Sequence, residues 1–358
     1  MTRREFILAT SALTVCGCRT AGVDEGALRA EIRRCIDAGL YSGLAVGSNG
    51  LAPLVAGGRT LDGRLPVTAE TLFDLASVGK TQTAALCALL AADGRLDPDA
   101  PFTEYLTEHA LAKENCRITV RDLATHSGGF DNAKPYMVAD QTRMFEEIYR
   151  KRPVRQRGER FEYACSNYLY LGLIVEKLTG LDLDAAAKKM LWGPLGMGRT
   201  TWNTVTDDGN VMEYSPMTYG NKPPRRIGEH NDLCCHWSPR PMGNGSCFST
   251  CGDMICFVTD LLRRERFPQS YYDLMFTPTF EKGGVRRSFG WDLPASASAT
   301  QIYPETGFSP RTISHSGWTG PVIAVDPERD FAGVVLGGQV AGKEKTMDVR
   351  VGLLRLMV

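Results

Sequence analysis

The feature that most constrains the fold is an almost wholly apolar run between residues 77 and 93, SVGKTQTAALCALLAAD. Its length and its end at Gly94 predict a helix. A helix that is apolar on nearly every side is normally buried, so other elements must cover it all round. Two polar groups, Ser77 and Lys80, stand three residues apart at its start.

The elements predicted on either side of this helix indicate the architecture. An amphipathic helix is predicted over 25–39, followed by short strands around 43–47 and 52–58. Residues 95–285 are rich in loops and helical patterns, and strand patterns return after them before a final helix over 343–358. This order predicts an α/β fold with one antiparallel sheet built from N- and C-terminal segments, flanked by helices, with a large, mostly helical insertion. A cleft between sheet and insertion is the expected place for a ligand.

Composition excludes several classes of partner. Of the 358 residues, 43% are hydrophobic and 23% charged, which is typical of a soluble globular protein. Lysine plus arginine equals aspartate plus glutamate at 41 each, so no net charge attracts nucleic acid or an anionic membrane surface. The sequence shows no repeat and no linker, and residues 25–358 are predicted to form one domain.

The N-terminal segment 1–18 has the pattern of an export signal. Arg3 and Arg4 precede an apolar stretch that is too short to span a bilayer. The pair is similar to a twin-arginine signal, and the residues ending at Cys18 are similar to a bacterial lipobox, in which that cysteine is lipidated. We therefore expect an exported protein, periplasmic or lipid-anchored to the envelope through Cys18. An ordinary cleaved signal or an unprocessed helix is the alternative.

Cysteine is abundant, with eleven residues, of which nine remain once Cys16 and Cys18 are set aside. A chain of this length needs no disulfide framework to build a core, so most are interpreted as small buried apolar side chains. A dense group with two nearby histidines raises a zinc alternative, but it lacks the C-x-x-C pairs that make such a site specific. No metal and no organic cofactor is predicted. The group comprises Cys234, Cys235, Cys247, Cys251, Cys256, His230 and His236.

Ser77 and Lys80 form the only S-x-x-K sequence in the chain. At a helix N-terminus the helix dipole stabilises a developing alkoxide, and a lysine one turn further on lies on the same face. The dipole and partial burial are expected to lower the pKa of Lys80 towards a value useful for proton transfer. The alternative is a serine cap followed by a solvated lysine. No G-x-S-x-G elbow is present to support a different kind of serine enzyme.

Several sequence blocks follow one another in an order that resembles a known superfamily: FDLASVGK, DGRLDPDAP, ITVRDLATHSGG, FEYACSNYLYLGLIVEKLTG, LWGPLGMGRT, GSCFSTCGDM and ISHSGWTGPVIAVDPE. Over roughly residues 40 to 340 they resemble the serine β-lactamase and penicillin-binding-protein superfamily. The branch resembled contains class C β-lactamases, related esterases and D-amino-acid peptidases. This resemblance implies a β-lactamase/transpeptidase-like fold and a serine hydrolase that works through an acyl-enzyme on Ser77 with the help of Lys80.

The resemblance also implies the remaining site residues. Tyr163, in FEYACSNYLYLG, takes the place of the family tyrosine that shares the proton transfer. Its rival is Tyr219, which runs into two prolines and opens no helix. His315, Ser316 and Gly317 stand at the family's K-T-G triad, and the N–H of Trp318 would join that of the nucleophile as the oxyanion hole. A second His-Ser-Gly, at 126–128, lies in a loop and is interpreted as structural.

Two departures from the family pattern bear on the substrate. Cys165 stands where the family often has an asparagine that binds an acylamino group, and a thiol is a weak donor and acceptor. His315 replaces the lysine that helps to hold a β-lactam carboxylate. Both changes weaken the case for a dedicated β-lactamase, and both are compatible with a small ester or with a D-amino-acid-containing peptide such as one derived from the cell wall. The alternatives are a true β-lactamase or D,D-carboxypeptidase, and a catalytically silent member that binds peptidoglycan or a partner.

Overall fold

A computed structural model describes residues 23–114, 116–205, 209–214 and 227–358. Two sequence predictions lie outside this part of the chain. One is the export signal over 1–18 with its lipidated Cys18, and the other is the alternative tyrosine motif at Tyr219.

An eight-stranded antiparallel sheet forms the centre of the protein, with strand order β2-β1-β10-β9-β8-β7-β6-β5. Strand β1 pairs with β2 on one side and with β10 on the other, so N-terminal and C-terminal segments lie side by side in the sheet. The predicted α/β fold is therefore confirmed. The strands, including the separate β3–β4 pair, are β1 Tyr41–Ser48, β2 Leu51–Gly57, β3 Phe73–Asp74, β4 Phe248–Ser249, β5 Phe280–Lys282, β6 Val285–Ser288, β7 Trp291–Leu293, β8 Ile313–Ser316, β9 Val322–Asp326 and β10 Phe331–Gln339.

Helices cover the sheet and make up most of the insertion between its N-terminal and C-terminal strands. Helix α2 is buried along its length from Gly79 to Leu90 and packs against α5 and α10, as its apolar sequence predicts. The helices are α1 Glu25–Asp37, α2 Gly79–Ala92, α3 Val120–Ala124, α4 Gln141–Arg150, α5 Cys165–Thr179, α6 Leu183–Ala187, α7 Gly193–Leu195, α8 Leu233–Trp237, α9 Cys251–Arg263, α10 Gln269–Phe276 and α11 Lys343–Arg355.

The sheet has a hydrophobic core on each face. Successive residues of β1 alternate between them, with Ala45 in the larger core and Leu44 and Val46 in the smaller. The smaller core lies under α1 and α11, and the larger one joins the sheet to α2 and the rest of the insertion. The insertion is thus fixed against the sheet, and the start of α2 comes to the end of β8.

The described cysteines are all unbridged thiols, and seven of the nine are buried. They pack as small apolar side chains, as predicted. In this part of the chain no three histidine, cysteine, aspartate or glutamate side chains are grouped closely enough to hold a metal ion. Among the described helices, none is both long and apolar enough to cross a bilayer.

Candidate active site

Ser77 lies in a short 3₁₀ turn, Ala76–Val78, that runs directly into α2. The buried carboxylate of Asp74 holds this turn by accepting hydrogen bonds from the N–H groups of Ala76 and Asn231, both at 2.7 Å. Burial raises the pKa of Asp74 to about 6. Ala76 takes a positive φ of 45°, a conformation that non-glycine residues adopt only when their surroundings impose it. Ser77, the candidate nucleophile, therefore lies in a turn whose backbone is held in one conformation.

Lys80 is fully buried behind Ser77. Its Nζ lies 3.1 Å from Ser77 Oγ, and it also donates to the backbone carbonyl of Asn244. The same nitrogen lies 5.1 Å from the centre of the Tyr163 ring and 5.8 Å from that of Tyr168. Two aromatic faces and two oxygen acceptors thus surround the amine, which is an environment suited to a cation.

The expectation that the pKa of Lys80 is lowered is wrong. Burial is the largest single effect and does lower it, but interactions with Cys165, Tyr163 and Asp232 together outweigh burial and raise the pKa above its ordinary value. Sequence reasoning counted desolvation and the dipole but could not place these neighbours. At neutral pH Lys80 is an ammonium ion.

Tyr163 comes from the loop before α5, and its hydroxyl lies 2.7 Å from Ser77 Oγ. The structure thus brings together the three residues that the resemblance selected, Ser77, Lys80 and Tyr163. The serine oxygen accepts hydrogen bonds from both partners, so proton transfer to or from it needs no rearrangement of heavy atoms.

His126 packs against Tyr163, with ring centroids 4.5 Å apart. Its Nδ1 accepts from the N–H of Ala164 at 3.2 Å and lies 3.0 Å from the Asn167 amide nitrogen. Burial, followed by the nearby charges of Arg287 and Lys80, lowers the pKa of His126 well below its ordinary value, so the ring is neutral. The 126–128 loop therefore has a structural role, as predicted, and through His126 it also holds the ring of Tyr163 in place.

Strand β8 carries the His315-Ser316-Gly317 triad up to the Ser77 turn. A side chain at Gly317 would place its Cβ 2.5 Å from the carbonyl oxygen of Leu75, so only glycine allows this close approach. Arg350 fixes the strand from behind by donating to the Gly317 carbonyl at 2.8 Å. Trp318, the next residue, is 46% exposed.

A cavity of about 300 Å³ opens between this strand and the turn. Of the predicted site residues, Ser77, Tyr163, His315, Ser316, Gly317 and Trp318 line it. Lys80 and Cys165 are not among its lining residues; Cys165 is the first residue of α5, and its N–H donates to the Asn132 side chain at 3.2 Å.

Sequence reasoning missed a second group of lining residues, Phe161, Arg287, Asp292, Ala299 and Thr300. The available signal was Asp292, a charged residue inside the strand pattern SFGWDL, and Arg287, which directly precedes that pattern. A charged residue buried in a strand needs a partner or a ligand.

Comparisons with known proteins show what the chain is similar to as a whole. A protein-family model described as Beta-lactamase matches residues 32–353. A "Putative D-alanyl-D-alanine carboxypeptidase" of Escherichia coli O157:H7 is 28% identical over 309 residues, covering 76% of this chain and 70% of that protein. Its namesake in Escherichia coli K12 is 27% identical over 327 residues, covering 81% and 74%.

Solved structures share the fold. A class C β-lactamase superposes with a TM-score of 0.74 at 19% identity, covering 94% of this chain and 99% of the other. A β-lactamase/D-alanine carboxypeptidase from Pseudomonas syringae gives 0.73 at 20% identity, covering 93% and 98%. A penicillin-binding-protein homologue from Pyrococcus abyssi, described as octameric, gives 0.72 at 22% identity, covering 92% and 77%.

Proposed function

The chain belongs to the β-lactamase family and is a serine hydrolase, and from this premise we propose that Ser77 forms an acyl-enzyme with a small ester or a D-amino-acid-containing peptide. The observation that carries the proposal is the position of Ser77 Oγ, 2.7 Å from the Tyr163 hydroxyl and 3.1 Å from Lys80 Nζ, at the wall of an open cavity.

The proposed reaction has two halves. In the reactive form Tyr163 has lost its own phenolic proton to solvent and is held as the phenolate by the Lys80 ammonium; Ser77 Oγ then attacks the substrate carbonyl and passes its proton to the phenolate oxygen. The backbone N–H groups of Ser77 and Trp318 bind the tetrahedral oxyanion, each contributing about 3 kcal/mol to transition-state stabilisation. The C–N or C–O bond then breaks, the leaving group takes the proton from Tyr163, and water later hydrolyses the Ser77 ester by the same route.

The test is covalent labelling of Ser77. The chain beginning after Cys18 is incubated with a reactive fluorophosphonate, and intact mass with peptide mapping locates the adduct. We expect one adduct on Ser77, none in Ser77→Ala, and slower labelling in Lys80→Ala than in the control Lys189→Ala, which removes an exposed lysine. Unlabelled Ser77 in folded protein would contradict the proposal.

A D,D-carboxypeptidase is the second candidate, favoured by the name shared by the Escherichia coli relatives. Release of a terminal D-residue from an acyl-D-alanyl-D-alanine peptide would assign this activity. Rapid turnover of a cephalosporin would instead assign a true β-lactamase. Binding of cell-wall fragments without an adduct or turnover would indicate a silent member.

We also propose that the protein is exported and anchored through Cys18, on the twin-arginine and lipobox patterns of residues 1–18. Labelled palmitate should enter the full chain and should be lost in Cys18→Ser but not in Cys16→Ser. Incorporation that is unaffected by Cys18→Ser would contradict the anchor.

A further inference from the structure

Asp74 is a buried carboxylate, 1% exposed, that comes shortly before the candidate nucleophile in the chain. Its two oxygens accept from different segments: Oδ1 from the N–H of Ala76 and Oδ2 from that of Asn231, both at 2.7 Å. An ionised carboxylate accepts at both oxygens, whereas a neutral acid or an amide presents a donor at one of them. These two contacts therefore favour the ionised form of Asp74.

The backbone carbonyl of Asp74 contacts a third segment, the one that follows β8. It accepts from Thr319 Oγ1 at 2.5 Å, and Thr319 is fully buried. Thr319 comes directly after Trp318, whose N–H is the second proposed oxyanion donor. Ser77, which supplies the first donor, lies in the turn that the Asp74 carboxylate holds. One residue thus contacts both segments that supply the two donors.

The two donor segments need such a connection because they are far apart in the chain. An oxyanion hole works when both N–H groups lie about 3 Å from the same developing charge. A displacement of about 1 Å in either segment can lower the rate about 100-fold. The positive φ of Ala76 makes the first segment prone to relax, and a charge-assisted hydrogen bond from its N–H opposes this.

The ionised form of Asp74 is unfavourable for the stability of the fold. Burial raises its pKa to about 6; the N–H groups of Asn231 and Ala76 oppose this increase, and the charge of Asp232 adds to it. Since the unfolded value is about 3.9, the contribution of Asp74 to stability is present in acid and is lost as the pH rises through about 6. A buried charge that weakens the fold at neutral pH indicates a role in activity.

We propose that Asp74 is the positioning residue of the oxyanion hole, with its carboxylate holding the Ser77 turn and its carbonyl holding the segment of Trp318. This inference rests on the proposed function, because it concerns the two donors assigned there. Asp74 is buried and does not line the cavity, so it acts through these segments and not on the substrate. Protonation turns one of its acceptors into a donor and releases one N–H, so the reaction slows in mild acid.

The first test compares the rate of fluorophosphonate labelling of Ser77 in the unaltered protein and in Asp74→Asn. Asparagine has the same shape but cannot accept at both positions, so labelling should slow about 100-fold at pH 7.5. The titration of Tyr163 and Lys80 is common to both proteins and cancels in the ratio of the two rates. This ratio should fall about tenfold between pH 7.5 and 5, because only the unaltered protein loses an ionised Asp74 over this range.

The titratable groups that face Asp74 are Tyr214, Asp232, Cys235 and Cys247. All four are present in both proteins. Burial raises the pKa of the two thiols, so neither of them ionises between pH 5 and 7.5. A ratio that changes with pH is therefore assigned to residue 74.

The matched control is Asp253→Asn, which replaces another buried carboxylate. Asp253 Oδ2 accepts from the N–H of Arg199 at 2.9 Å and from Thr200 Oγ1 at 2.8 Å, and it does not line the cavity. The ratio of labelling rates between the unaltered protein and this variant should be close to one at both pH values. A loss of labelling in Asp74→Asn alone then separates positioning of the donors from the general effect of neutralising a buried carboxylate.

A second variant tests the carbonyl contact and keeps the test decisive if Asp74→Asn does not fold. Thr319→Val removes the hydroxyl that donates to Asp74, so labelling should slow about tenfold, by the same factor at pH 7.5 and 5. The control is Thr312→Val, at a buried hydroxyl with no hydrogen-bond partner among the described residues, and it should be labelled at the unaltered rate. A folded Thr319→Val that is labelled as fast as the unaltered protein would overturn the inference.

The outcomes are separable from those of the proposed function. Labelled Ser77 with equal rates in Asp74→Asn and the unaltered protein, or with a ratio independent of pH, would leave the nucleophile in place and remove the positioning role. Without any labelling of Ser77 the proposed function fails, and hydrogen exchange followed by mass spectrometry decides whether Asp74 holds the two segments. Exchange at pH 7.5 should be about tenfold faster over residues 75–78 in Asp74→Asn and over 317–320 in Thr319→Val. Unchanged exchange in both segments would contradict the role of Asp74.

Discussion

The hydroxyl of Tyr163 lies 2.7 Å from the hydroxyl oxygen of Ser77, and the two residues are 86 positions apart in the chain. The short turn before α2 fixes the serine, while His126 and the start of α5 fix the tyrosine. The contact therefore depends on the insertion keeping its place against the sheet.

Replacing Tyr163 by phenylalanine should separate proton transfer from packing. The ring still packs on His126, but the oxygen that receives the serine proton is gone, so the rate of Ser77 acylation should fall by about 10²- to 10⁴-fold. Stopped-flow or quench measurements of fluorophosphonate labelling provide the rate. The control is Tyr170→Phe, which removes a hydroxyl bonded to the Ile148 carbonyl at 3.0 Å; it should cost about 1–3 kcal/mol of stability and leave the labelling rate unchanged. Equal rates in Tyr163→Phe and unaltered protein would exclude the tyrosine from the chemistry.

Lys80 should make stability depend on pH in the alkaline range. Burial lowers the pKa of Lys80 in the folded protein, but the interactions with Cys165, Tyr163 and Asp232 together outweigh burial and raise it. The folded state therefore holds the proton more tightly than the unfolded chain does. The resulting stabilisation is complete below the unfolded value of about 10.4 and is lost as the pH rises through the folded pKa. Urea unfolding of the unaltered protein and Lys80→Met should give a stability difference that is constant up to about pH 10 and shifts against the unaltered protein from about pH 10.4 upwards. A difference independent of pH would refute the raised pKa.

Local sequence features predicted much of the fold but only part of the site. Ser77 and Lys80 could be paired because helix geometry puts residues three apart on one face. The N-terminal and C-terminal strands of the sheet could be predicted from their alternating apolar patterns and turn signals. Arg287 could not be assigned to the cavity because its place there depends on the β6–β7 pairing and on Phe161 and Thr300, which come from distant segments. The sign of the Lys80 pKa shift failed for the same reason, since Asp232 and Cys165 are far away in sequence.

His126 should lower stability under mild acid. Its pKa is lowered in the folded state, chiefly by burial, so its contribution is present above the unfolded value of about 6.5 and is lost as the pH falls below it. The loss for this residue amounts to at most about 2 kcal/mol at pH 5. In His126→Asn the side-chain oxygen can still accept from Ala164, and urea unfolding at pH 7 and 5 should show a smaller loss than in the unaltered protein. A pH dependence that matches the unaltered protein would contradict this assignment; His236→Asn, at a partly exposed ring, is the control.

Gly245 should be essential to the Ser77 turn. It has a φ of +136°, and a Cβ there would lie 2.5 Å from the carbonyl oxygen of Ala76. Gly245→Ala must therefore displace the turn, and we expect a loss of about 1–3 kcal/mol in stability together with slower labelling of Ser77. The control is Gly158→Ala, where φ is +69° and a Cβ meets nothing within 4 Å. Both variants carry a backbone penalty, so only the first should affect the labelling rate. Similar labelling of the two would show that the contact with Ala76 does not hold the nucleophile.

The substrate preference should shift towards β-lactams when the two departures from the family pattern are reversed together. Asparagine at Cys165 supplies an amide that can bind an acylamino group, and lysine at His315 places a cation on β8 for the ring carboxylate. Cys165→Asn with His315→Lys should therefore raise the rate of Ser77 acylation by a penicillin by about tenfold or more, measured by intact mass over time. Each single variant is the control for the other and should give a smaller gain. The buried position of Cys165 at the start of α5, with its N–H on Asn132, makes a stability measurement part of the experiment. A folded double variant that gains nothing would contradict the argument that these two departures set the preference against β-lactams.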